Sequence, residues 1–246
     1  MTAGFAIQVS AFALSSLFAL FRLPDAVRGR NRSIFFCLVL MAVSTGLSLS
    51  VIYEFIDPLM GGMNLANLLL RYALYGVFVI LGVRGAAAFG AEWARRWITG
   101  PIGLAVLGII AVLTAGFFAA SDIPSTSTGL LDYDDQVTVE VYGMLGRLYP
   151  AYVAAVICAP ALAASRNASY RMPHRLGSGL FGAGLALVVL FTVLTMVADI
   201  GAFMVIMPFS AVILVVSGLV IMWISHRLRL KRPQRSALTE RYENVK

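Results

Sequence analysis

The sequence predicts an all-α polytopic membrane protein, a seven-transmembrane-helix bundle with its N-terminus outside and its C-terminus cytoplasmic. Three observations carry this prediction. Of the 246 residues, 60% are hydrophobic and only 13% charged, a balance that a soluble domain of this size does not show. The apolar residues gather into seven runs, each close to the roughly 20 residues that take a helix across about 30 Å of hydrocarbon. All but two of the 19 Lys and Arg residues, Arg71 and Arg147, fall in connections that share one side of those runs. By the positive-inside rule that side is cytoplasmic.

The first run, 3–21, has no basic residue before it and is followed by Arg22 and Arg28. It reads as a retained span inserted N-terminus outward rather than as a cleaved signal. The 22–32 loop adds Arg30 and Arg32 before the second run, 33–53, which ends at Glu54 and Asp57. The end of the third run, 65–89, overlaps the 84–100 loop, which carries Arg84, Arg95 and Arg96. There Glu92, Trp93 and Trp97 form an interfacial belt, with Trp223 at the same level. The fourth run, 102–120, is followed by a Ser/Thr/Pro/Gly-rich stretch and then Asp132-Tyr133-Asp134-Asp135. A surface loop with a short interfacial helix is expected. Its carboxylates lack the spacing and glycine of a calcium-binding EF-hand.

The fifth run, 141–164, contains Pro150 and Pro160, and the seventh, 203–224, contains Pro208. These prolines are expected to kink their helices or unwind a turn. Between the two lie Arg166, Arg171 and Arg175, then the sixth run, 180–198, opened by Gly177, Gly179, Gly182 and Gly184 and closed by Asp199. The glycines allow close approach of neighbouring helices. Fusing the last two runs into one helix would make it about 47 residues long (179–225), about twice the bilayer, and would put the basic tail on the wrong side. The domain reading is therefore 1–225 for the transmembrane bundle and 226–246 for a basic cytoplasmic tail.

The net charge of +7 is accounted for by topogenic charge and attraction to anionic headgroups. Its residues sit in short loops rather than on a basic, aromatic-studded domain, so no nucleic acid is expected. The inventory also bounds the chemistry. His174 and His226 both fall at the cytoplasmic side and neither Lys lies in a span, which removes intramembrane haem ligation and a retinal Schiff base. HExxH, GxSxG and the phosphate loop are absent, so protease, hydrolase and phosphate-loop nucleotide readings lose their motifs. Cys37 and Cys158 lie within different spans and read as small packing residues. No enzyme activity, cofactor or metal is expected. Asn31-Arg-Ser and Asn167-Ala-Ser match the glycosylation triplet but fall on the cytoplasmic face, where they are chance matches.

One polar constellation stands out at the outer ends of the spans. Glu54 and Asp57 end the second, and Asn64, Asn67, Arg71 and Tyr75 follow at spacings of three and four residues that share one helical face. Arg147 sits about two turns inside the fifth span and Asp199 ends the sixth. Ionisable groups at such depth usually face the bundle interior or a watery cavity. One reading is an outward-facing pocket in which Arg71 and Arg147 grip an anionic or polar small molecule, or hold a gate through Glu54, Asp57 or Asp199. The other is a structural salt-bridge network with snorkelling arginines.

The run Arg22-Leu-Pro24, the stretch from Tyr53-Glu-Phe-Ile-Asp57 through Asn64-Leu-Ala-Asn67, and Arg175-Leu-Gly177-Ser-Gly179 together resemble an actinobacterial seven-helix integral membrane family. Its members carry only a transporter label and are often encoded beside helix-turn-helix regulators. The resemblance implies a bacterial plasma membrane and a role in transport or sensing. Many members extend further beyond the last helix than the basic tail does here.

Three function classes follow. A non-enzymatic receptor or regulatory protein would bind a ligand outside and pass a helix shift to a cytoplasmic or membrane protein partner through the basic tail and loops. A small-solute transporter or channel is suggested by the prolines and by a faint echo between Arg22-Leu-Pro24 and Arg171-Met-Pro173, which would make spans 1–3 and 5–7 parallel copies. An accessory subunit of a membrane complex is the third. The absence of ionisable residues at the midplane favours the first.

Overall fold

Apolar runs bounded by Gly, Pro and Asn become helices because every backbone polar group must be satisfied within the segment when lipid is the solvent. The computed structural model describes residues 3–231, with side chains from 3 to 225. Its elements are α1 (Ala3–Val27), α2 (Arg32–Gly46), α3 (Ser50–Leu59), α4 (Leu65–Ala88), α5 (Glu92–Thr99), α6 (Pro101–Ala120), a 3₁₀ turn (Thr128–Tyr133), α7 (Val137–Arg166), α8 (Met172–Val197) and α9 (Phe203–Lys231). Six of these helices are long and apolar enough to cross a membrane, or seven when the bent pair α2–α3 is taken as one span. The chain is a multi-pass membrane protein. The predicted tail, 226–246, is described only as the backbone of the last α9 turns. The rest of it lies outside the described residues.

Neighbouring helices close a ring in the order α1, α2, α4, α7, α8, α9 and back to α1, with α6 laid on the outside of α7. The inward faces carry aromatic and aliphatic residues, among them Tyr149, Val153, Ile157, Phe181, Leu185 and Val216, all nearly inaccessible. Further large aliphatic side chains point outward, with Val112 72% and Leu20 65% exposed. In water such a surface would aggregate, whereas in a bilayer it is the lipid contact.

Two of the glycines that open the predicted sixth run, Gly177 and Gly184, form the seam between α8 and α9. A Cβ on Gly218 would lie 2.6 Å from the Gly177 carbonyl oxygen, and one on Gly177 would lie 2.9 Å from that of Gly218. The two backbones therefore touch, as small-residue helix pairs in membranes do. Gly182 faces α7 in the same manner, against Leu162. α8 begins at Met172, eight residues before the predicted start at 180, so His174 and Gly177 belong to its first turns rather than to a loop.

The predicted straight span 33–53 is corrected. It breaks after Gly46, and α3 leaves α2 at 97°. Around the break Ser44 and Thr45 return hydroxyl bonds to the Met41 carbonyl and Ser48 to that of Ser44, an arrangement that bends helices. Phe12 of α1 packs onto Gly46, where a Cβ would lie only 3.0 Å from its ring. The 15 residues of α2 rise about 22 Å, short of the roughly 30 Å of a hydrocarbon core, and α3 turns almost perpendicular to it. The prolines leave no turn unwound: α7 continues through Pro150 and Pro160, and α9 through Pro208.

Two ends follow from these paths. The Arg84–Ser33 contact joins the α4 terminus to the start of α2 at the basic end. At the opposite, acidic end, Gln8 of α1 donates to the Ser48 carbonyl, and the α3–α4 corner meets the 121–136 loop.

Candidate functional site

The predicted outer cluster lies at the acidic end, and the structure divides it into a clasp and a pocket. Tyr53 and Asp57 stand one turn apart on the buried face of α3, whereas Glu54, one residue on, is exposed. Asp57 is wholly inaccessible. Its carboxylate accepts the backbone N–H groups of Asn64 at 3.0 Å and Ala66 at 3.1 Å, and the Thr126 hydroxyl at 2.8 Å. Among the described residues no cation pairs with it within 4.0 Å. The positive end of α4 and three donors hold the charge in place.

Asn64 precedes α4 in the left-handed region, at φ 58°, a conformation Asn tolerates better than most side chains. Its amide oxygen accepts from the Tyr53 hydroxyl at 2.9 Å and the Ser127 N–H at 2.7 Å. Its amide nitrogen donates to the carbonyls of Ser125 at 2.7 Å and Ile123 at 3.3 Å. Two donors and two lone pairs are all an amide possesses, so Asn64 is saturated by the protein itself. Asn67 accepts from the Tyr142 hydroxyl at 2.9 Å, and Tyr75 shares a 2.8 Å hydrogen bond with Thr114 of α6. These contacts fasten the 121–136 loop and α7 over the α3–α4 corner.

Arg71, one turn beyond Asn67, is half-buried. Its guanidinium lies 5.4 Å from the centroid of the Tyr142 ring, a cation–π contact. Its Nε is buried with no hydrogen-bond partner. Gly146 leaves the room for it, since a Cβ there would fall 2.7 Å from Arg71 Cδ.

Arg147 is directed elsewhere. Its Nε donates to the Gly143 carbonyl in its own helix at 2.9 Å, and its guanidinium lies 5.9 Å from the Phe191 centroid. It lines a cavity of about 330 Å³ at the acidic ends of α7, α8 and α9, together with Glu140, Met144, Thr192, Thr195 and Met204. Glu140 attracts Arg147 and Arg71 repels it, but no carboxylate stands within 4.0 Å of the Arg147 guanidinium among the described residues. The two threonine hydroxyls donate to carbonyls in α8, which leaves their lone pairs available to a donor. Asp199 is exposed and accepts from the Gly201 N–H at 2.9 Å in the α8–α9 turn.

Of the predicted site residues, then, Asp57, Asn64 and Asn67 meet in the clasp, Arg71 borders it, Tyr75 bonds to Thr114 and the Leu145 carbonyl further along α4, Arg147 alone enters the pocket, and Glu54 and Asp199 stand apart. Sequence reasoning missed Glu140, Thr192 and Thr195 as pocket residues. Two signals pointed to them. Glu140 lies two turns before Arg147 on one face, and Thr192 and Thr195 form a polar pair one turn apart in the otherwise apolar second half of α8. Among the described residues no group of His, Cys, Asp and Glu side chains is placed to hold a metal ion.

A second cavity, of about 430 Å³, lies at the basic end among α1, α2, α4, α8 and α9 and shares no lining residue with the first. No protein-family model matches the chain, and no curated protein or solved structure matches it either.

Proposed function

We propose that this protein is a non-enzymatic receptor or regulatory membrane protein that binds a small anionic or polar molecule in the acidic-end pocket. In this reading the basic end faces the cytoplasm of a bacterial plasma membrane, in keeping with the positive-inside rule. The observation that carries the proposal is Arg147: a guanidinium lining a cavity of about 330 Å³ with no carboxylate in ion-pair contact among the described residues. A charge at that depth is costly unless something compensates it, and a bound carboxylate or phosphate supplies the compensation bidentately. Tyr149, Val153, Ile157, Phe181, Leu185 and Val216 fill the interior beyond the pocket, so the site closes on an apolar core. The rigid α8–α9 seam would carry a displacement at the pocket to the basic end, where loops and tail meet a protein partner.

A small-solute transporter is the second reading, favoured by cavities at both ends between helices that include α8 and α9 and by the resemblance noted above. Thermal unfolding of the purified full-length protein against a panel of small carboxylates and organic phosphates tests the first. Stabilisation by a panel member that is lost in Arg147→Ala, without counterflow of that compound into proteoliposomes, supports the receptor. Counterflow supports the transporter, and a panel without effect on the wild type removes the pocket as a ligand site.

A further inference from the structure

We propose that the basic-end cavity is a second binding site, for a phosphate-bearing anion. Four helices bring cationic and polar groups to it. Arg22 of α1 is only 8% exposed, and its guanidinium lies 4.8 Å from the Trp223 ring centroid of α9. Arg84, near the end of α4, directs Nε and Nη2 to the Ser33 hydroxyl oxygen, Nε at 2.7 Å, and makes no ion pair among the described residues. His174, in the first turn of α8, has its ring 4.7 Å from that of Tyr170, and its Nε2 is buried without a hydrogen-bond partner. Asn31, in the left-handed region at φ 51°, adds an amide at the start of α2. All four line one cavity of about 430 Å³, and no carboxylate is among its lining residues.

Two arginines and a histidine converging on one cavity raise a positive potential that an anion relieves. Arg forks match phosphate oxygens bidentately, and a buried imidazole nitrogen without a partner is an empty donor or acceptor position that a ligand oxygen can occupy. The remaining walls are apolar, with Phe181 and Trp223 among them. Polar rim and apolar floor together fit a phosphate attached to a hydrocarbon chain, and basic pockets between membrane helices are where such headgroups settle. A free phosphate satisfies the same rim, so the experiment separates the two sources.

Full-length protein in detergent is offered dioleoylphosphatidylglycerol or dioleoylphosphatidylcholine and examined by native mass spectrometry, and in parallel its thermal unfolding is followed with inorganic phosphate. Retention of phosphatidylglycerol that falls about tenfold in R84Q/H174Q, as loss of charge-assisted hydrogen bonds implies, assigns the site to an anionic phospholipid. Stabilisation by phosphate with the same dependence assigns it to the free anion. Neither effect, or an equal loss in R95Q/R96Q, whose residues lie outside the cavity, overturns the proposal. If the double variant does not fold, the exposed Arg84 alone decides: R84Q weakens binding several-fold more than R84K, and equal binding by both overturns the site.

Discussion

Thr126 donates its hydroxyl to the Asp57 carboxylate across 2.8 Å, joining residues 69 apart in sequence. With Asn64 beside them, this contact makes the α6–α7 loop part of the α3–α4 corner. Removing the carboxylate leaves two backbone N–H groups and a hydroxyl without their acceptor. Asp57→Ala is expected to cost about 3 kcal/mol, since each hydrogen bond to a charged group contributes about 1.5–3 kcal/mol. Thr126→Val should cost about half as much. Chemical unfolding in mixed micelles measures both, and an Asp57→Ala protein as stable as the wild type would remove the clasp from the account.

Asn64 offers a sharper separation of backbone from side chain. Asn64→Gly keeps the left-handed conformation and loses four hydrogen bonds, while Asn64→Ala loses them and adds strain. Alanine should therefore be the worse by about 1 kcal/mol, the difference expected for a Cβ in that region. The same unfolding series reads it, and a reversed order contradicts the origin assigned to the residue.

The space that Gly146 leaves for Arg71 predicts a coupling. Gly146→Ala alone forces a methyl to 2.7 Å from Arg71 Cδ, costing about 1–3 kcal/mol as overpacking does. Combined with Arg71→Ala, the second substitution should recover most of that loss. A double-mutant cycle yields the coupling energy directly, and strict additivity would show that the two residues do not share the space.

The α8–α9 seam should tolerate less. A methyl on Gly218 meets backbone rather than a movable side chain, 2.6 Å from the Gly177 carbonyl oxygen. Gly218→Ala is expected to separate the helices and lower the thermal midpoint more than Gly179→Ala, whose Cβ would find Ser165 Cβ at 3.5 Å. Equal midpoints for the two variants would refute the close seam.

The helices were legible because a spanning run needs only length and apolarity, and both are written locally. The break after Gly46 was not. No proline marks it, and its causes are hydroxyl bonds within the turn and the packing of Phe12 from another helix. That one bend reassigns the outer cluster, because it places Tyr53, Glu54 and Asp57 on a separate helix whose phase buries the first and last and exposes the middle. Asp57, Asn64 and Asn67 could be singled out as polar residues at a helix end. Three of their partners could not, because they belong to loop backbone at 123–127, which has no chemical signature of its own. Arg147 was found by its depth in an apolar run, while its distance from Arg71's surroundings depends on helix rotation that sequence spacing across different helices does not encode.

The clasp also orders the birth of the molecule. Asp57 and Asn64 leave the ribosome some sixty residues ahead of Ser125 and Thr126. Until α6 has been threaded and its following loop delivered, the carboxylate and amide must be hydrated. The α3–α4 corner therefore stays unsealed until the loop after α6 has been made.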